Sequence, residues 1–216
     1  MRPDESTPSR TTRGSKREEI VRAALRVFGR DGYADASVDE IAKEAGVAKP
    51  TIYTHFGDKA GLFTEVIADA SHRSNTRVND VIDSIDVRPK NLSSELERLG
   101  NALVGCLLDD DGVAVMRLQL AERHRFPELL DEIRNSNRDR TIDRLAGKLA
   151  QMAAIGLLRL ADPDRAARHL MALVGDDLII RSGFGSVRLD PETVIAPVRA
   201  GVETFLEAFG APTEPS

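Results

Sequence analysis

The sequence predicts an all-α protein, and three observations carry that prediction. Apolar residues recur at helical spacing in one segment after another, and no run alternates over several residues as a strand would. Aromatic residues make up 4% of the chain and Trp is absent, so the core must be built from Leu, Ile, Val and Ala, which suit packed helices. Gly, Pro and capping residues stand where helices start and stop. The 216 residues are 41% hydrophobic and 30% charged, a globular balance with length for one large domain or two small ones.

The elements follow in order. Residues 1–14, rich in Pro, Ser, Thr and Arg, read as a flexible basic arm. Ser15-Lys16-Arg17-Glu18 has the pattern of a capping box and predicts a helix opening at Ser15. Ile20, Ala24, Val27 and Phe28 share its inner face, and Gly29, Asp31 and Gly32 end it. Ser37-Val38-Asp39-Glu40 is a second capping box, opening a short helix with Val38, Ile41, Ala42 and Ala45 inward, broken at Gly46. Pro50 fits only a first helical turn, so a third helix starts at Ala48 or Lys49 and runs through His55. Asp58 caps a fourth, which carries Leu62, Phe63, Val66 and Ile67 onward to about Ile85. A linker with Pro89 spans Asp86 to Asn91. Five further helices are expected at Ser93–Leu108, Val113–Arg125, Pro127–Ala154, Pro163–Ser182 and Pro191–Phe209. There is no internal repeat.

Composition excludes several classes. The start is not a secretory signal, and no stretch reaches ~18 uninterrupted apolar residues, so no membrane span is expected and the location expected is cytoplasmic. The single Cys106 lies in the apolar run Leu103–Leu108 and can form neither an internal disulfide nor a metal pair. It reads as a small buried hydrophobe, with a redox-sensing thiol as the alternative. His72, His124 and His169 share no metal-ligand spacing, and no cofactor is expected. The net charge is −5, yet residues 1–30 hold eight Lys/Arg against four Asp/Glu, a local +4 that leaves −9 for the rest. This asymmetry permits a basic contact surface on an acidic body.

Residues 37–56 carry the functional signal. Two short helices joined by a tight turn at Gly46 fit a helix-turn-helix. Val38, Ile41, Ala45, Val47, Ile52 and Phe56 can pack them onto the first helix, and Ala42 allows close approach. Lys49, Pro50, Thr51, Tyr53 and Thr54 then face outward, a set suited to DNA. Lys49 can meet phosphate or guanine, the threonines base edges or phosphates, and Thr and Pro a thymine methyl. Ser37, His55 and Lys59 complete the candidate DNA-binding residues; His55 fits a hydrogen bond within the domain equally well.

At this point residues 15–64 resemble the DNA-binding domain of TetR-family repressors. Ile20–Ala24 and Val27–Tyr33 are similar to that family's first helix and its exit, Ser37–Ala42 to its second helix, and Val47–Phe56 to its recognition helix; Asp58-Lys59 and Leu62-Phe63 complete the pattern. Ala48 departs from it, because the family often has Ser there, so no DNA contact is carried onto Ala48. Behind the head, Arg117–Leu129 and Gly156–Pro163 resemble the bodies of AefR-like and AcrR-like regulators. The resemblance implies a homodimer, a palindromic double-stranded DNA operator, a small hydrophobic effector bound among the middle helices, and repression relieved by that effector. The pocket candidates are Leu103, Met116, Leu120, His124, Phe126, Met152 and Asp177. The candidate dimer residues, on the last two helices, are Leu170, Leu173, Val174, Leu178, Val198, Val202, Phe205 and Leu206; ordinary core packing suits them equally. The expected division is an arm at 1–14, a three-helix helix-turn-helix domain at 15–60, a helical ligand-binding and dimerisation domain at 61–210, and a tail at 211–216.

Two rivals remain at this level. A helical enzyme finds no support, since the chain has no Gly-rich phosphate loop, nucleophile elbow or metal cluster. A ligand-independent DNA-binding regulator, or an activator on the same fold, keeps the head and stays open.

Overall fold

The structure, a computed structural model, describes residues 10–211, without the side chains of 10–15, 134 and 136–138. Most of the expected arm and residues 212–216 of the tail lie outside the described residues. The rest of the arm corrects the expectation. Helix α1 spans Arg10–Asp35, so residues 10–14 are helical and the chain does not start its helix at Ser15. A capping box satisfies orphan N–H groups only where a helix starts, and no Pro stands between 10 and 15 to impose that start. Gly32, at φ 74, breaks α1 near its end as expected.

Helices α2 (Val38–Glu44), α3 (Lys49–Phe56) and α4 (Lys59–Asp83) follow. Their starts are set by the anticipated chemistry. The Ser37 hydroxyl accepts the Asp39 N–H at 3.2 Å, and the Asp58 carboxylate accepts that of Gly61 at 2.7 Å. Behind them come α5 (Leu92–Leu108), α6 (Asp110–Ala121), α7 (Pro127–Ala154), α8 (Pro163–Arg181) and α9 (Pro191–Phe209). Only α6 is displaced from expectation. Asp109 caps it by accepting the Gly112 N–H at 2.7 Å, so it starts before Val113. It stops at Ala121, where the Glu122 N–H closes the last turn onto the Leu118 carbonyl, and the chain turns before Phe126, which Pro127 holds out of the helical region at φ −127 and ψ 53.

Two apolar clusters result. The first joins α1, α2, Ile52 of α3 and Leu62–Ala70 of α4 to Val115, Leu118 and Leu130 of the body. The second joins Val78 and Ile82 of α4 to α5, α7, α8 and α9. Helix α4 therefore belongs to both, and its 25 residues reach about 37 Å at the usual helical rise. Close approach shapes the second cluster: a Cβ on Gly201 of α9 would lie 2.3 Å from the Leu173 carbonyl oxygen of α8, so only glycine lets these helices meet there. The end of α9 returns to the α7–α8 turn, where the Arg159 N–H donates to the Phe209 carbonyl at 2.7 Å.

Candidate DNA-binding surface and body cavity

Helix α3 is held by one buried contact and one turn. Ile52 is fully buried, and Gly46 takes φ 65, which L side chains rarely adopt, to swing the chain from α2 into α3. That orientation leaves Pro50, Tyr53 and Thr54 exposed and Thr51 and His55 half-buried. Lys49 is not free: its ammonium donates to Asp39 at 2.8 Å, and this bond holds its pKa above the usual lysine value. The Thr54 hydroxyl donates to the Pro50 carbonyl at 2.8 Å, so its methyl and lone pairs are what remain for a ligand. Lys59 donates to the Ala34 carbonyl at 3.1 Å and stands 4.8 Å from the Tyr33 ring centre, stapling the start of α4 to the exit of α1. The hydroxyl of Ser37 is engaged as the α2 cap.

The basic N-terminal surface is also internally paired. Arg17 meets Glu65 at 2.6 Å, Arg26 meets Glu44, and Arg30 binds both Asp31 and Glu40. These pairs are solvated and worth about 0–1 kcal/mol each, so phosphate can displace them at little cost. Sequence counting saw the cations but not their partners, which lie up to 48 residues away.

The head and body meet at an aromatic junction that the sequence did not reveal. The Phe126 ring stacks on Phe63 at 4.7 Å and meets Tyr33 edge-on at 5.0 Å. Beside it, the nearly buried Glu122 accepts the Tyr33 N–H at 3.0 Å. The turn after α6 thus touches the exit of α1 directly.

A cavity of about 510 Å³ opens among α4, α5, α6, α7 and α8. Its apolar wall includes Val78, Leu103, Ile142 and Met171, and its polar wall includes Ser71, Ser74 and Asn75 of α4 with Thr141 of α7. Among the seven pocket candidates, Leu103 lines this cavity. Met116 and Leu120 line a separate hollow of about 250 Å³ with Phe184. His124 is exposed on the turn, Phe126 serves the junction, and Met152 is fully buried in the body core. Asp177 points into the α8–α9 groove and pairs with Arg181 at 2.6 Å, while its neighbour Asp176 lines the cavity; one residue along a helix turns a side chain by about 100°. The missed residues had a legible signal: Ser71, Ser74 and Asn75 are polar positions on the otherwise apolar inner stripe of α4.

The dimer candidates need a similar correction. Leu170, Val174, Leu178, Val198, Val202 and Phe205 are buried in the protomer's own core, and Leu206 packs partly against it, leaving Leu173 exposed at 38%. Apolar spacing on α8 and α9 reports the inner face; the outer face mixes small residues with the exposed Leu173, Ile180 and Ile195. Leu173, Ala196, Pro197, Ala200 and Gly201 line a shallow groove between the two helices.

A helix-turn-helix head on a helical body with a central cavity defines a class of bacterial regulators, and comparison with known proteins places the chain within it. Residues 20–66 match the profile of bacterial regulatory proteins of the tetR family, and residues 94–211 match the C-terminal domain of AefR-like transcriptional repressors. The protein belongs to the TetR family of DNA-binding transcriptional regulators, which are not enzymes. It is 48% identical over 50 residues to the transcriptional regulator AcrR of Shigella flexneri, covering 23% of each chain. It is 41% identical over 56 residues to SrpR of Pseudomonas putida, covering 26% of each. The aligned part thus spans about a quarter of these curated relatives. A TetR-family regulator from Mesorhizobium loti aligns over 94% of this chain and all of its own, with TM-score 0.83 and 29% identity. The flavonoid-responsive regulator FrrA aligns over 93% of this chain and all of its own, with TM-score 0.68 and 29% identity. Among the described residues, no helix is long and apolar enough to cross a membrane, and no cluster of His, Cys, Asp and Glu could hold a metal ion.

Proposed function

We propose that the protein is a cytoplasmic repressor that binds a palindromic operator as a homodimer and is released by a small, largely apolar effector entering the central cavity. The observation that carries this reading is the double role of α4, which packs the head through Leu62–Ala70 and lines the cavity through Ser71–Val78. An effector that favours a different position of α4 shifts the spacing of the two heads, and DNA affinity follows by the difference in its binding to the two states. The head at 15–60 reads DNA and the body at 61–210 senses and dimerises. Lys49, Pro50, Thr51, Tyr53 and Thr54 enter the major groove, with Ser37, His55 and Lys59 beside the phosphates; the two recognition helices then lie about 34–36 Å apart. The shallow apolar face of Leu173, Ala196, Pro197 and Ala200 suits a two-fold contact, in which the same patch meets itself.

The test is operator binding by the purified protein at several salt concentrations. Lys49→Ala with Tyr53→Ala should weaken binding strongly, and loss of one phosphate contact per protomer should lower the log–log salt slope by about 0.9 per contact. Asp39→Asn, which releases Lys49 from its internal partner, should tighten binding. Unchanged affinity in both variants would refute the recognition-helix assignment. Reporter expression without the protein separates repression from activation: a rise supports the proposal and a fall overturns it.

A further inference from the structure

The polar wall of the central cavity specifies more than an apolar effector. Ser71 lines the cavity and is 3% exposed; its Oγ is closed to water in this rotamer and has no hydrogen-bond partner, so it meets a ligand by turning about χ1. A buried hydroxyl without a partner costs on the order of 1–3 kcal/mol, so leaving it there needs a reason. One turn along α4, Asn75 accepts a hydrogen bond from the Thr141 hydroxyl at 2.8 Å through Oδ1. That bond orients the amide and leaves its N–H groups to donate. Ser74 stands between them on the same wall. The rest of the lining includes the apolar Val78, Leu103, Ile142, Met171 and Ile179.

Charge is absent from the interior of this arrangement. The cavity's two charged residues, Arg168 and Asp176, are exposed and of opposite sign, and Arg168 already leans toward Asp164 at 4.0 Å. A charged group driven in beside Ser71 would be buried without a counter-ion, which costs several kcal/mol. A fully apolar ligand would leave Ser71 and the Asn75 amide unsatisfied. The volume of about 510 Å³ lies within the range of small-molecule sites.

We propose that the cavity selects an uncharged, oxygen-bearing amphiphile, an alcohol, phenol or carbonyl compound whose one oxygen-bearing edge bonds Ser71 and Asn75 while its apolar body fills the rest. This inference rests on the effector reading above and narrows it, with Ser71 as the specificity-determining residue. The two can fail separately, because ligand selectivity is measured without DNA.

The experiment uses three matched probes on the full-length protein: 4-phenylphenol, 4-methylbiphenyl, which replaces the hydroxyl with a methyl group of similar size, and biphenyl-4-carboxylate. Equilibrium dialysis should show 4-phenylphenol binding roughly 10–100-fold tighter than 4-methylbiphenyl, the span expected when a buried polar group is satisfied or left bare. Ser71→Ala should erase most of that preference and, at the same time, leave Tm unchanged or raise it, since the orphaned hydroxyl is gone. A serine with only a structural role would lower Tm and leave selectivity intact. Asn75→Ala should reduce the preference in part. The proposal is overturned if 4-methylbiphenyl binds as well as the phenol, if the carboxylate binds tightest, if none of the three binds, or if Ser71→Ala keeps full selectivity. If selectivity holds but 4-phenylphenol leaves operator affinity unchanged, effector release fails and the cavity's chemistry stands.

Discussion

Truncating Phe126 to Ala should loosen the head from the body, and the loss can be worked from the junction's geometry. The ring stacks on Phe63 at 4.7 Å and meets Tyr33 edge-on at 5.0 Å. Each aromatic pair contributes about 0.5–1.5 kcal/mol beyond burial, so two pairs give roughly 1–3 kcal/mol. The side chain is half-buried, so transfer adds about 1 kcal/mol more. The expected destabilisation of about 2–4 kcal/mol lowers Tm by roughly 5–15 °C in a chain of this size. Scanning calorimetry at fixed protein concentration reads it; concentration is held constant because Tm shifts with assembly. Phe126→Leu keeps most of the area and should cost about half as much. A double-mutant cycle of Phe126→Leu with Phe63→Leu should return a coupling of about 0.5–1.5 kcal/mol. A Tm fall below about 2 °C for Phe126→Ala, or zero coupling, refutes the reasoning; head and body would then be held by α4, the Glu122–Tyr33 bond and the apolar contacts of Val115, Leu118 and Leu130.

Two further outcomes are expected. Ala200→Glu changes an exposed residue on the outer face of α9, so the protomer should stay folded while sedimentation shifts to the monomer and operator affinity falls; an intact dimer would place the interface elsewhere. The Cys106 thiol is pushed above its ordinary pKa, chiefly by burial and then by Asp109, with Arg77 opposing. Alkylation by iodoacetamide at pH 8 should therefore run slower in the folded protein than in the urea-unfolded chain. Equal rates would revive the redox-sensing alternative.

Much of the fold is written in local chemistry. Ser37, Asp58 and the prolines at 50, 127, 163 and 191 act within one turn of themselves, so the ends of α2, α3, α4, α7, α8 and α9 follow from short windows of sequence. The start of α1 did not, because a capping box permits a helix start without compelling one. The outward face of α3 was legible for the same local reason: once Ile52 points inward, helical spacing places Tyr53 and Thr54 on the other side.

What the sequence by itself determined is therefore local: the turn at Gly46, helices α2 to α4, and the proline-led starts of α7, α8 and α9. The tertiary structure alone decided what packs against what. Apolar periodicity on α8 and α9 marks what a helix buries, and it is silent on whether the burying surface is the same chain or a second copy; packing assigned Val174, Val198 and Phe205 to the protomer's own core. The central cavity is assembled from five helices separated by up to about a hundred residues, so no local window could bring Ser71 and Met171 into one cavity or Thr141 beside Asn75. Nor could it show that Lys49 is held by Asp39, or that Phe126 belongs to the head–body junction, because such contacts depend on how far the chain has turned between them.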